Sequence, residues 1–159
     1  MRSPTTSRAR LAGLAAAIMS VGLGLAGAVQ AGEPVSFEVV DMGIPASLTG
    51  KAGDPQSGKL AMIDRKLGNC LACHKVSTLD EQPFHGEVGP PLDGAGSRWN
   101  EAELRLIVAD SKSVFPGSIM PAFHTTEGRH RVMKKFQGET ILTAQQVEDV
   151  VAFLKTLKD

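Results

Sequence analysis

Two cysteines and a histidine near the middle of the chain restrict its fold more than any other feature. They stand in the order Cys70, Leu71, Ala72, Cys73, His74. This C-x-x-C-H spacing places two thiols one helical turn apart, where they can add to the two vinyl groups of one haem. The imidazole of His74 then lies beneath the iron, for which its nitrogen is a good ligand. The pattern predicts one covalently bound haem c, attached through Cys70 and Cys73, with His74 as an axial iron ligand.

Three other uses of the two cysteines compete with haem attachment. A thioredoxin-type redox pair needs a βαβ setting, whereas a helical segment precedes this motif and a Gly- and Pro-rich segment follows it. A zinc site needs about four ligands, yet the chain has no further cysteine. A structural disulfide leaves His74 without a role. Haem also suits the composition, because aromatic residues are only 4% of the chain and a large flat group would supply apolar core volume.

The first 31 residues have the layout of an export signal. Arg2, Arg8 and Arg10 precede an uncharged apolar run over residues 11–29, and the segment closes on a cleavage-like end, Val29, Gln30 and Ala31. We predict a secretory signal peptide cleaved after Ala31, and a periplasmic protein without a membrane span. An uncleaved anchor is the alternative, because the run is about long enough to cross a bilayer.

The predicted mature chain, residues 32–159, is long enough for one domain. It has 14 basic and 17 acidic residues, because the first 31 residues hold three arginines and no acidic residue. This slightly acidic balance gives no indication of a nucleic-acid partner or an anionic membrane surface.

The hydrophobic pattern of the mature chain predicts three or four helices and no convincing paired strands. Residues 32–53 are interrupted by Pro and Gly, which predicts an extended arm. Asp54 and Pro55 form an N-cap and N1 pair that begins a helix of about three turns, ended by Gly68. Residues 75–98 and 111–125 are predicted to be irregular, and loops this long are uncommon unless something orders them.

Two further helices are marked by capping-box pairs. Asn100 with Glu103 begins one that runs to about Asp110. Thr143 with Gln146 begins the last, in which the apolar residues recur at helical spacing: Val147, Val150, Val151, Leu154 and Leu157.

The sixth iron position needs a second ligand unless the haem is catalytic. We predict Met120, because the rigid Pro121 fixes the backbone beside a flexible thioether. His124 is the runner-up, with His85 and His130 behind it. If they are not ligands, these three histidines are expected to face solvent.

One segment and one further residue are candidates for contacts around the haem. The nitrogen of His74 that does not face iron should donate to a carbonyl, and residues 89–92, with two prolines, are the candidate segment. A turn without contact to His74 is the alternative. The indole N–H of Trp99 is a candidate partner for a haem propionate, and simple core packing is the alternative.

The order of these motifs resembles class I monohaem cytochromes c. The resemblance implies an all-α class I cytochrome c fold, with three to four helices around one covalent haem. It assigns to Pro90 the carbonyl that accepts a hydrogen bond from His74. It also implies that the first helix packs across the last, with Gly58 and Met62 against these residues: Val150, Phe153 and Leu154.

A narrower resemblance, to the SoxX subunit of sulfur-oxidising bacteria, covers nearly all of residues 32–159. It rests on residues 44–50 (IPASLTG), on Ala52 to Pro55 with Gly58, and on residues 68–74 (GNCLACH). It implies a periplasmic heterodimer with a SoxA-like cytochrome, docked through the arm (32–53), with residues 54–159 as the haem domain.

The same resemblance implies a place in an enzyme complex of the L-cysteine S-thiosulfotransferase type. The catalytic haem is expected on the SoxA-like partner, which joins thiosulfate oxidatively to a cysteine of a SoxYZ-like carrier. This chain would accept the electrons and pass them to a downstream acceptor. Two other functions stay open: a free-standing periplasmic electron carrier that tolerates loss of residues 32–50, and an enzyme or gas sensor with an open iron site.

Overall fold

The computed structural model describes residues 32–159, so that the predicted signal peptide lies outside the described residues. Five α-helices form in this part of the chain: α1 (Pro55–Ile63), α2 (Ala95–Arg98), α3 (Glu101–Ala109), α4 (Ser111–Val114) and α5 (Ala144–Leu154). Three 3₁₀ turns lie at Cys70–Ala72, Ser77–Leu79 and Lys134–Phe136. Within residues 32–159, β-pairing is limited to two isolated bridges, Gly32 with Thr140 and Val40 with Gly43. The predicted all-α architecture is confirmed, but residues 75–98 and 111–125, which were expected to be irregular, each contain a four-residue helix, α2 and α4. No described helix is long and apolar enough to cross a membrane.

Helix α1 begins as predicted but ends one turn early. The carboxylate of Asp54 accepts hydrogen bonds from the backbone N–H groups of Gln56 and Ser57, and Pro55 occupies the first turn. At the other end, the Asp64 carboxylate accepts from the N–H of Lys66 at 2.7 Å. This bond stabilises a turn instead of another helical turn, because Asp competes for backbone donors. The sequence expectation of a helix reaching Gly68 was therefore wrong in length.

Helices α3 and α5 carry the two predicted capping boxes. Asn100 and Glu103 bond each other's backbone N–H groups at 3.0 and 2.8 Å. Thr143 and Gln146 do the same at 3.2 and 2.9 Å. The predicted apolar stripe of α5 is buried throughout. These local hydrogen bonds fix where the two helices begin.

Helix α1 crosses α5 at Gly58, as the resemblance implied. A Cβ added at Gly58 would lie 1.9 Å from the carbonyl oxygen of Asp149 and 2.9 Å from the nitrogen of Val150. The two helix backbones meet so closely that only glycine fits. Met62, one turn further along α1, is fully buried.

The extended arm packs along its own chain. Ile44 donates its N–H to the carbonyl oxygen of Ala102 in α3 at 2.9 Å, and its side chain is 1% exposed. Leu48 is also buried, and its N–H donates to the Glu148 carboxylate at 2.7 Å. At the start of the described chain, Gly32 bonds to Thr140. The second half of the arm is therefore part of the core.

Candidate haem site

The C-x-x-C-H residues form a single 3₁₀ turn. Asn69 precedes it in the left-handed conformation with φ 48°, and the His74 N–H donates to the Cys70 carbonyl at 2.9 Å. No disulfide joins the two cysteines, which are partly buried, and burial raises the pKa of the Cys70 thiol to about 12. The turn brings the two thiols and the imidazole together without any other element.

The next loop holds the imidazole of His74. Nδ1 lies 2.7 Å from the carbonyl oxygen of Pro90. Since a carbonyl only accepts, Nδ1 carries the proton and Nε2 keeps its lone pair. Gly89 lies against the ring, because a Cβ there would be 2.3 Å from its Cε1 atom. Gly89 also donates its N–H to the Cys73 carbonyl at 2.8 Å, so that the loop and the motif form one unit.

Arg98 fixes this loop, a role that sequence reasoning missed. Its guanidinium donates to the carbonyl oxygen of Asp93 at 2.6 Å and to that of Pro91 at 3.2 Å. The Asp93 carboxylate in turn accepts from the N–H and hydroxyl of Ser77. A planar guanidinium suits two carbonyl acceptors on one loop. A lone arginine after a Gly-rich segment gave no sequence signal for this contact.

The segment that carries Met120 is anchored by Ser111 and Lys112. The hydroxyl of Ser111, which is fully buried, donates to the carbonyl oxygen of Met120 at 2.8 Å. The ammonium of Lys112 donates to the same carbonyl at 3.0 Å. The Met120 N–H donates to the Ser118 hydroxyl at 3.1 Å. The backbone of Met120 is thus held on both sides while its side chain is only partly buried.

Two of the runner-up histidines have structural roles. The ring of His124 is completely buried, with Nδ1 2.9 Å from the Leu142 carbonyl and Nε2 accepting from the Val35 N–H at 3.1 Å. His85 is also engaged at both nitrogens, with its partners at 3.2 and 3.0 Å. The expectation that these side chains face solvent was therefore wrong, because each ring satisfies backbone groups that would otherwise be unpaired. His130 is exposed.

Trp99 packs edge-to-face on Phe115, with ring centroids 6.2 Å apart and planes at 77°. Its side chain is partly buried against the core. Among residues 32–159 no group accepts a hydrogen bond from its indole N–H. The structure therefore gives Trp99 a packing partner and leaves its polar edge available.

Comparison with known proteins decides the family. The family model for cytochrome c matches residues 56–158. The chain belongs to the cytochrome c family. Among solved structures, a chain of the crystal structure of SoxXA from P. pantotrophus is 46% identical, with a TM-score of 0.73. The match covers 82% of this chain and 100% of that chain, which confirms the resemblance to SoxX; no curated protein matches.

As a cytochrome c, the protein carries covalently bound haem c, and the described residues fit this group. Both thiols are free of each other, and the imidazole has one nitrogen free of partners within residues 32–159. In the segments that precede and follow the motif, several apolar side chains are only partly buried: Leu67, Leu92, Trp99, Val114 and Met120. A large flat apolar group would cover such residues. The haem supplies one-electron redox chemistry when bound.

Proposed function

We propose that this cytochrome is the electron-transfer subunit of a periplasmic SoxAX-like complex. The observation that carries the proposal is the 46% identity to a chain of the SoxXA crystal structure over all of that chain. In such a complex the SoxA-like partner would join thiosulfate to a cysteine of a SoxYZ-like carrier. Forming a sulfur–sulfur bond in this way is a two-electron oxidation. One haem takes one electron at a time, so this subunit would pass each electron to a downstream acceptor.

In this proposal Cys70 and Cys73 attach the haem, and His74 and Met120 are its axial ligands. The Pro90 contact supports the role of His74, because it leaves the lone pair of Nε2 for iron and fixes the ring orientation. For Met120, support comes from the rigid backbone and from the engagement of His124 and His85 with other groups.

Thioether ligation would make the haem a suitable electron acceptor. A His/Met pair favours ferrous iron and raises the reduction potential relative to a His/His pair. With both axial positions occupied, substrate has no open site on the iron. Thiosulfate chemistry would therefore take place on the partner, as the thiosulfotransferase reaction requires.

The propionate contact of Trp99 and the docking role of the arm are also proposals. The Trp99 indole N–H is a donor of the kind a carboxylate accepts. In the arm, residues 33–42 are the candidate docking segment, because several of its apolar side chains are exposed: Val35, Val39, Val40 and Met42. Exposed apolar residues on one segment are typical of an interface.

A free-standing electron carrier is the second candidate. One observation favours it: Ile44 and Leu48 are buried against their own chain. The second half of the arm is therefore ordered without a partner protein. Both candidates share the haem site and differ in whether a stable second subunit exists.

Purification of the tagged protein from its native host distinguishes the two candidates. We expect a second haem protein to co-purify at a 1:1 ratio, and the pair to conjugate thiosulfate to an added carrier protein. Haem staining, visible spectra and mass analysis of the carrier are the measurements. A lone monohaem protein with a methionine-ligand band would instead leave a general electron carrier.

A further inference from the structure

A basic loop lies between the Met120 segment and α5, and none of its residues is a proposed haem ligand. Residues 129–135 read RHRVMKK and hold four of the fourteen basic residues of the mature chain, with no acidic residue among them. The mature chain as a whole is slightly acidic. Positive charge is therefore concentrated on one loop of an otherwise acidic protein.

The guanidinium of Arg129 closes this loop. It donates to the carbonyl oxygen of Glu139 at 2.9 Å and to that of Ala122 at 2.9 Å. Both acceptors are neutral carbonyls, so these bonds hold the side chain without balancing its charge. Burial lowers the pKa of Arg129, which reflects the removal of water from a charged group.

Arg129 and Arg131 line the same pocket, which has a volume of about 270 Å³. Its other polar side chains belong to Thr126 and Gln137, and these carry a hydroxyl and an amide. Neither arginine forms an ion pair among the described residues, whose ion pairs lie elsewhere. The volume is below the roughly 300–1,000 Å³ of pockets for organic ligands. The pocket is therefore small, and its two guanidinium groups have no carboxylate partner among the described residues.

We propose that this pocket binds a small dianionic oxyanion, of which sulfate is the simplest. Guanidinium groups pair with tetrahedral oxyanions through two parallel N–H···O bonds, and hydroxyl and amide donors complete such sites. A carboxylate in the lining would oppose this binding, and neither Asp nor Glu is among the residues that form it. The proposal is independent of the proposed function, because the residues that line the pocket include none of the proposed haem ligands.

Titration of the reduced, haem-loaded protein with sodium sulfate tests the site. We expect saturable amide shift changes by NMR, confined to residues 126–138, which sodium chloride at equal ionic strength does not reproduce. In Arg131→Gln we expect sulfate to bind about tenfold more weakly, because one charge-assisted contact is lost. Arg131 is chosen for substitution because Arg129 also holds the loop through its bonds to the carbonyls of Glu139 and Ala122.

Arg65→Gln is the matched control, because Arg65 is exposed and lies outside the pocket. It removes the same charge and should leave sulfate binding unchanged. Equal weakening in both variants would show net-charge attraction only and overturn the site. Shift changes that chloride reproduces in the unsubstituted protein would overturn it as well, whether or not the variant folds.

Discussion

Ser111 shows how a residue outside any motif positions a proposed iron ligand. Its hydroxyl is fully buried and lies within hydrogen-bond distance of the carbonyl oxygens of Met120 and Pro121, at 2.8 and 3.2 Å. Pro90 has a comparable role on the other ligand, through its carbonyl and Nδ1 of His74. Hydrogen bonds to backbone carbonyls thus orient the two proposed iron ligands, on which the reduction potential would depend.

Ser111→Ala should loosen the Met120 segment. The loss of a buried donor leaves the Met120 carbonyl with Lys112 alone, which should lower the free energy of unfolding by about 1 kcal/mol. The methionine-ligand band should also disappear at a lower temperature than in the unsubstituted protein, as followed by visible spectroscopy. Ser113→Ala on the same helix is the control, because Ser113 is exposed. Equal effects of the two substitutions would contradict a positioning role.

Met120→Ala should open the sixth iron position. Loss of the thioether should lower the reduction potential by on the order of 100 mV, a fraction of the ~0.8 V range that axial ligands set. The methionine-ligand band should vanish and carbon monoxide should bind rapidly. Met133→Ala, at a side chain 62% exposed, should change neither property. An unchanged potential and spectrum in Met120→Ala would disprove the ligand assignment.

Helices α1, α3 and α5 are held together by two different kinds of contact. At Gly58 the backbones of α1 and α5 touch, whereas α3 and α5 are joined by a buried ion pair. Arg105 makes three hydrogen bonds to the Glu148 carboxylate at 2.9–3.1 Å and one to the Ile44 carbonyl at 2.7 Å. Since Leu48 also donates to Glu148, this pair fastens the arm to both helices.

Gly58→Ala should separate α1 from α5. The added Cβ would meet the backbone of Asp149, which has no rotamer to move away. We expect a loss of about 3 kcal/mol in the free energy of unfolding, measured by guanidinium denaturation of the haem-loaded protein. Gln56→Ala, an exposed position on the same helix, should cost less than about 0.5 kcal/mol. Equal stability of the two variants would rule out the close helix crossing.

Glu148→Gln should leave Arg105 buried without its main counter-charge. Both side chains are only 3% exposed, and removal of one partner from such a pair costs about 3–5 kcal/mol. We expect a loss near the lower limit, because Glu101 also bonds Arg105. Glu38→Gln, at an exposed residue of the arm, is the control for loss of a negative charge. Denaturation curves that coincide for the two variants would contradict the stabilising role of the pair.

Residues 32–159 form a helical haem domain with the arm packed along it. Residues 43–53 of the arm lie on α3 and α5, and the beginning of the arm reaches Thr140 and His124. The arm therefore contacts elements that are about one hundred residues away in sequence. Loss of the arm affects core packing as well as any partner that it binds.

Deletion of residues 32–50 should destabilise the isolated cytochrome. It removes Ile44 and Leu48 from the core, worth about 1.5–3 kcal/mol each, and exposes the Arg105–Glu148 pair. Deletion of residues 32–41 should cost much less, because both buried side chains remain. Thermal unfolding of the haem-loaded variants is the measurement. If the two deletions lowered the Tm equally, the second half of the arm would not be part of the core.

Local patterns in the sequence were sufficient for the motif and for the beginnings of α1, α3 and α5, whereas the short helices α2 and α4 were not predicted. The C-x-x-C-H turn and the capping boxes at Asn100 and Thr143 depend on residues three or four positions apart, so that a short window contains the whole interaction. The order of the motifs also identified the family and the haem. The α1 boundary failed because two local signals competed, and the Asp64 turn preceded Gly68.

Only the tertiary structure decided the contacts between distant segments. The bonds of His124 to Val35 and Leu142 span 89 and 18 residues, and the Arg105–Glu148 pair spans 43. No periodicity marks such partners, because any buried polar side chain takes the backbone or charged group that the fold brings to it. The sequence by itself determined the haem attachment and the three longer helices, whose capping and apolar spacing are local. The fold determined which histidine rings bond to the backbone, which elements the arm contacts and which charged side chains pair. These contacts follow from the packing of segments that are distant in sequence.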